Sequence, residues 1–279
     1  MTSSRIRPGF LFIGPDKTGS SWLYEVFAQH PDCFVPEIKD IYFFDRYYDR
    51  GLDWYFDFFA RAPQGARAVG ELSHDYLFSE QAARRICGDL PGVKLLTCLR
   101  NPVERTHSHY LYLVRSGLTR SSFEEALEEF PELINNSLYA KHLSVYYELF
   151  DRDHIKVLFF DRLKADAKAF AGEVFSFLDV PPVDELDYGR RVLPASRPRS
   201  HWLARLAKQG ANTARDLGLA RLVGMVKRSS VQNVLYRTYS GAEKPVLGEE
   251  TRARLSEVFA PDIRQLETLL GVSLEQWKT

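Results

Sequence analysis

The chain has 279 residues, with 37 Lys/Arg balanced by 37 Asp/Glu, 45% hydrophobic and 13% aromatic content. Such a chain packs a sizeable core and offers nucleic acid no overall charge to bind. Three scattered cysteines (Cys33, Cys87, Cys98), no apolar run near the ~20 residues of a membrane span, and no signal-peptide core ahead of the first apolar run point to a cytoplasmic protein without a membrane span, a disulfide framework or structural zinc.

The first element is the apolar run Phe10–Ile13, read as a strand. It leads into "GPDKTGSS" (Gly14–Ser21) and then a helical pattern over Ser20–Gln29. A strand, a Gly-bounded turn and a helix start form an anion cradle of backbone N–H groups. The spacing is nearly that of a nucleotide-binding P-loop, G-x-x-x-x-G-K-[ST], yet Ser20 holds the lysine position and Lys17 lies inside the loop. Chemistry at a γ-phosphate thereby loses its cation. From the loop apex Lys17 instead reaches toward the end of a shorter phosphate chain, a reach that fits a sulfuryl group on a 5′-phosphate. Tyr42–Phe59 is rich in aromatic residues, chiefly core, with some rings available to line an acceptor groove.

A second strand, Ala68–Glu71, runs into "GELSHDYLF", which leaves His74 just past the strand end. After a helix over Glu80–Asp89, the strand Val93–Leu99 delivers Arg100 to the sheet edge, where a guanidinium grips phosphate bidentately. Pro102–Arg115 is a helix with proline in its first turn, and Ser108 falls in the second turn, eight residues past Arg100. Ser122–Glu129 opens with a capping-box pair, Ser122 and Glu125. Ser137–Phe150 and Ala165–Leu178 are amphipathic helices around a strand at Ile155–Phe160, and Thr251–Leu270 is helical with an interruption at Pro261. Strands alternating with helices give an α/β fold: a P-loop-type doubly wound parallel sheet flanked by helices. No repeat or linker divides the chain, so a single domain over 1–279 is expected. Within it, Arg190–Tyr239 carries eleven Lys/Arg and one acid, Asp216. That helical, basic segment reads either as a solvated face or as an acceptor-side lid over an anionic ligand. Seven scattered histidines without an HxxxH-type pair leave no metal-ligand spacing.

These residues resemble those of the PAPS-dependent sulfotransferases. "GPDKTGSSWL" is similar to their 5′-phosphosulfate loop PKxGTTxL, and "KDIYFFD" (Lys39–Asp45) to the K-E-x-x-F-F segment of the heparan-sulfate and bacterial branch. "GLDWYFDFF" matches the segment that follows there, and "CLRNPVERTHSHY" the 3′-phosphate motif. "SLYAKHL" and "FFDRL" recur at the expected distances, and "SGAEKP" resembles the late cofactor-closing loop. The resemblance implies 3′-phosphoadenosine 5′-phosphosulfate as sulfuryl donor and no metal. It assigns cofactor binding to Lys17, Thr18, Gly19, Ser20, Ser21, Trp22, Arg100, Ser108, Ser240, Gly241 and Lys244.

The acceptor is then a hydroxyl or an amine of a small molecule, natural product or carbohydrate. Lys17 would neutralise the leaving phosphate. The base is Asp40, at the position of the family's glutamate, or His74, where the family often carries proline in Glu-Lys-[ST]-Pro; the lysine of that motif is here Leu72. A P-loop kinase and a silent nucleotide-binding relative are the alternatives.

Overall fold

Five short apolar runs pair into one parallel sheet: β1 (Phe10–Gly14), β2 (Cys33–Phe34), β3 (Ala68–Leu72), β4 (Lys94–Leu99) and β5 (Ile155–Phe159), in the order β2-β3-β1-β4-β5. The computed structural model describes residues 5–189, 196–219, 223–224, 235–239 and 245–278. It divides into two compact units, Met1–Arg100 with His142–Val192, and Asn101–Lys141 with Leu193–Thr279. The helices in chain order are α1 (Ser20–Gln29), α2 (Phe43–Arg46), α3 (Gly51–Phe56), α4 (Glu80–Asp89), α5 (Pro102–Arg115), α6 (Phe123–Glu129), α7 (Glu132–Asn135), α8 (Tyr139–Leu149), α9 (Phe160–Ala165), α10 (Ala167–Phe177), α11 (His201–Asp216) and α12 (Glu249–Leu270).

The whole sheet belongs to the first unit. Phe10 and Phe12 on one face, and Leu11 and Ile13 on the other, are all shut off from solvent, as in a parallel sheet covered on both sides. One face meets Leu23 and Phe27 of α1 and Val174 and Phe175 of α10. Local sequence sets the helix starts: Ser79 accepts a hydrogen bond from the N–H of Ala82, and Asp166 from that of Ala169.

Strand order places the site. From β1 the chain moves out through β2 and β3 on one side, then returns to β4 and β5 on the other. The carboxyl ends of β1, β3 and β4 flank that reversal, which is where open α/β sheets collect ligands. Those three ends carry the Gly14 loop, His74 and Arg100.

In the second unit, Asn101 caps α5 through the N–H groups of Val103 and Glu104, with Pro102 at the first helical position. Ser122 and Glu125 form the expected capping box on α6. The fully buried Arg105 donates to Ser137 Oγ (3.1 Å) and the Leu133 carbonyl (3.4 Å). Two expectations change here. Around Pro198 the chain forms a short strand, β6 (Ser196–Pro198), antiparallel to β7 (Tyr236–Thr238). The break expected at Pro261 is absent, because α12 continues through it. Leu255, Phe259, Ile263 and Leu266 keep one apolar face buried across the proline, and that burial outweighs one lost backbone donor.

Gly14 has φ 123°, and a Cβ on it would overlap the backbone carbonyl of His74. Gly14→Ala is therefore expected to cost about 2–4 kcal/mol, through a strained backbone and a displaced His74. A denaturation midpoint equal to wild type would contradict this close approach.

Candidate active site

The loop after β1 is tied at three points. Thr18 Oγ1 donates to the Pro15 carbonyl (2.8 Å), closing the turn on itself, and Thr97 Oγ1 of β4 donates to the Gly14 carbonyl (2.7 Å). Arg100 Nη1 donates to the Lys17 carbonyl at 3.4 Å, with its guanidinium carbon 5.1 Å from the Phe160 ring centroid. Lys17 (φ 67°) and Gly19 (φ 94°) both take left-handed backbone, which folds the chain back onto the start of α1. Gly19 is the N-cap of α1; no side chain caps the first turn, and the turn contains no acid. A helix start of this kind, between Lys17 and Arg100, is chemically fitted to a phosphate.

The other nucleotide-side residues distribute as follows. The Ser20 side chain is buried and Ser21 is half-buried. Trp22 sends its indole into the core, where Nε1 donates to the Tyr188 carbonyl (3.1 Å) and the ring meets Phe170 edge-on, so only its backbone faces the loop. Ser108 is half-buried in the second turn of α5, between His107 and His109, both of which are packed inside the second unit. Ser240, Gly241 and Lys244 lie outside the described residues.

Asp40 and His74 are brought into direct contact. His74 Nδ1 stands 2.7 Å from Asp40 Oδ1, which also accepts from Lys39 Nζ (3.0 Å). That bond gives Nδ1 the proton and leaves Nε2 as the basic nitrogen. Nε2 lies 3.2 Å from the Tyr42 hydroxyl and 3.4 Å from Asp75 Oδ1. The Tyr42 ring is covered by the Arg46 guanidinium at 4.0 Å, and Arg46 pairs in turn with Asp75. Asp40 is buried, whereas the His74 side chain keeps 19% of its surface exposed, so the imidazole is the half of the pair that a ligand can meet.

A buried hub, absent from the sequence-based reading, holds this pair in place. Asp40 (φ 68°) and Tyr42 (φ 57°) both adopt left-handed backbone. Three N–H bonds stitch their segment to the end of β3: Asp40 to the Leu72 carbonyl (2.9 Å), Tyr42 to Ser73 Oγ (3.1 Å) and Phe43 to the Tyr76 hydroxyl (2.9 Å). Ser73 and Tyr76 in turn donate hydrogen bonds to Glu71, at 2.7 and 2.8 Å, and Tyr55 adds a third donor at 3.0 Å. Burial pushes the Glu71 carboxyl up to about 7 against the pull of those three hydroxyls. Nearby, burial chiefly, with a smaller push from Asp75, raises Asp45 to about 6. Of the aromatic residues expected to be core, Phe43, Phe44, Tyr55, Phe56 and Phe59 are buried, while Tyr47, Tyr48 and Trp54 are half-exposed.

Glu71 carries a linkage consequence. Its acidity is lower in the fold than in the unfolded chain, so its contribution is fully present below about pH 4.5 and is lost as pH rises through about 7. Between pH 5 and 8 the wild type is expected to lose of order 3 kcal/mol relative to Glu71→Gln, which does not titrate. Parallel stability curves for the two proteins across that range would contradict the assignment.

Comparison with known proteins places the chain. A family model described as a sulfotransferase domain matches residues 7–205. The heparan sulfate glucosamine 3-O-sulfotransferase 6 of Mus musculus is 31% identical over 184 residues, covering 63% of this chain and 53% of that protein. The bifunctional heparan sulfate N-deacetylase/N-sulfotransferase 1 of Mus musculus is 28% identical over 297 residues, covering 97% of this chain and 30% of that protein. The chain thus spans about half the length of the first relative and under a third of the second. A crystal structure of a sulfotransferase from Alicyclobacillus acidocaldarius superimposes with a TM-score of 0.73 at 25% identity, covering 98% of this chain and all of the other. The mouse sulfotransferase SULT7A1 complexed with PAP shares the fold at a TM-score of 0.50 and 14% identity, over 93% of this chain and 85% of its own. With its parallel sheet and uncapped, lysine-bearing loop, the chain belongs to the sulfotransferase family.

Proposed function

We propose that this chain transfers a sulfuryl group from 3′-phosphoadenosine 5′-phosphosulfate to a hydroxyl of a carbohydrate or small hydroxylated molecule. The observation that carries the reading is the loop Gly14–Ser21, an uncapped helix start hydrogen-bonded through Lys17 to Arg100 on the neighbouring strand end. Carbohydrate acceptors are supported by the heparan sulfate enzymes among its relatives, and the donor by the PAP named with a fold neighbour. When bound, the donor supplies an activated sulfuryl group whose departure leaves a 5′-phosphate.

The N–H groups of residues 18–22 hold the 5′-phosphate, and Lys17 neutralises the charge that builds on it. By the family resemblance, Arg100 and Ser108 are the 3′-phosphate residues, and Ser240, Gly241 and Lys244 belong to the nucleotide-binding set. Asp40 and His74 act as one base: Nε2 takes the acceptor's proton while the Asp40 carboxylate fixes the tautomer and steadies the imidazolium. Lys39, bonded to Asp40, holds that carboxylate in place. No residue of the set requires a metal.

Adenosine 3′,5′-bisphosphate is expected to raise the melting temperature where ATP with Mg²⁺ does not. Lys17→Ala should remove at least ~90% of kcat, since ~1.4 kcal/mol is tenfold in rate. Arg100→Ala should weaken bisphosphate binding more than Ser108→Ala does, because a charge-assisted bidentate contact is the stronger. Stabilisation by ATP alone would indicate a kinase.

The base pair makes its own test. Asp40→Asn and His74→Asn should each lower kcat by about 10²–10⁴, and the double variant should be little worse than the poorer single one. Multiplying losses would mean two separate roles, and full activity in His74→Asn would return the base to Asp40 alone.

A further inference from the structure

A surface helix ordinarily turns its apolar stripe toward the core and its charges toward water. Helix α11 also turns large apolar side chains outward. Its inward side carries Ala204, the buried Arg215, and Lys208, whose Nζ donates to the Tyr112 hydroxyl at 2.8 Å. Its outward side carries Trp202 (65% exposed), Leu203 (47%) and Leu206 (45%), separated by three and four positions and so aligned on one ridge. Leu217 (72%) and Leu219 (47%) continue the exposed apolar surface past the helix end. These are five of the nine large hydrophobic residues exposed among the described residues, all within eighteen positions of one another. A concentration of this kind marks a binding surface.

The charge around the ridge selects its partner. Arg199, Arg205 and Arg237 are exposed, and in sequence Arg190–Tyr239 holds eleven basic residues against one acid. A strongly amphipathic helix of low overall hydrophobicity, with Trp and Leu on one side and basic residues around them, is built to lie in the plane of a lipid–water interface. Indole rings favour the headgroup level, and arginine stems reach past an inserted ridge to lipid phosphates. Five side chains fall short of the ~20–30 residues and ~800 Å² that each partner of a stable protein interface buries. Shallow insertion of a few apolar side chains, reinforced by basic ones, is enough for reversible lipid binding. Among the described residues no helix is long and apolar enough to cross a membrane, so the association is in-plane.

We propose that α11 is an in-plane anchor that seats the protein on an anionic lipid surface, with Trp202, Leu203 and Leu206 inserted and Arg199, Arg205 and Arg237 on the headgroups. This is independent of the reaction at the sheet edge.

The test is sedimentation of the whole chain with vesicles of phosphatidylcholine alone or with about a third phosphatidylglycerol, at low salt and at about 0.5 M. Binding is expected only to the anionic vesicles and should weaken at least tenfold at high salt. Leu203→Ser with Leu206→Ser should abolish it at an unchanged melting temperature, and Arg199→Gln or Arg205→Gln should each weaken it about fivefold, near 1 kcal/mol per basic residue. Should the leucine variant fail to fold, acyl-brominated lipids report on the unmodified protein: they should quench emission that Trp202→Phe removes. Absence of binding to anionic vesicles overturns the proposal, and so does binding that the leucine variant retains. Light scattering that shows a lipid-free dimer, made monomeric by the leucine variant, would assign the ridge to a second copy instead.

Discussion

The sheet edge is organised by a missing side chain. Because Gly14 has no Cβ, the backbone carbonyl of His74 settles against the end of β1, and the loop that follows lies beside the end of β3. On its other flank the same strand end is fixed by Thr97, whose hydroxyl bonds the Gly14 carbonyl. One backbone position thus sets the spacing between an anion cradle and a candidate base. A close approach through backbone is stiffer than one through side chains, which have rotamers to escape into. Catalytic groups gain most from such stiffness, since small misplacements are costly in rate.

Around that point the molecule trades strain for order. Lys17, Asp40 and Tyr42 all hold left-handed backbone, a conformation that costs of order 1–3 kcal/mol for an ordinary residue. Each is over-determined by its neighbours: Lys17 by Arg100 on its carbonyl, Asp40 and Tyr42 by the three N–H bonds that end on Leu72, Ser73 and Tyr76. Glu71 sits behind the last two as a shared acceptor. The arrangement separates the chemistry from its support, since the hub is sealed in the core while His74 meets solvent.

Much of this was legible in the amino-acid order. Short apolar runs alternating with 3.6-period stretches located four of the five parallel strands and most long helices, because those periods reflect burial directly. The turn between β1 and α1 was legible as well, since its backbone is written in glycine spacing. β2 was missed because two residues carry no period, and the β6–β7 pair because Pro198 reads as a breaker. The Asp40–His74 bond joins residues 34 apart that meet only once the segment after β2 crosses to the end of β3, a distance at which no local pattern operates. They read as rivals for one role, whereas the fold makes them neighbours. Glu71 was hidden for a different reason: within a strand, an acid bonded to three hydroxyls looks the same as any other.

The backbone at Asp40 bears on which acid can stand there. Aspartate and asparagine tolerate left-handed backbone better than longer residues do. A glutamate here, as in the K-E-x-x-F-F segment, would lose that local fit and would push an additional methylene toward the space that the His74 imidazole fills 2.7 Å away. The shorter acid and the histidine are therefore matched in size: aspartate leaves the imidazole its room. The two side chains share one space, so a change in the size of either is felt by the other.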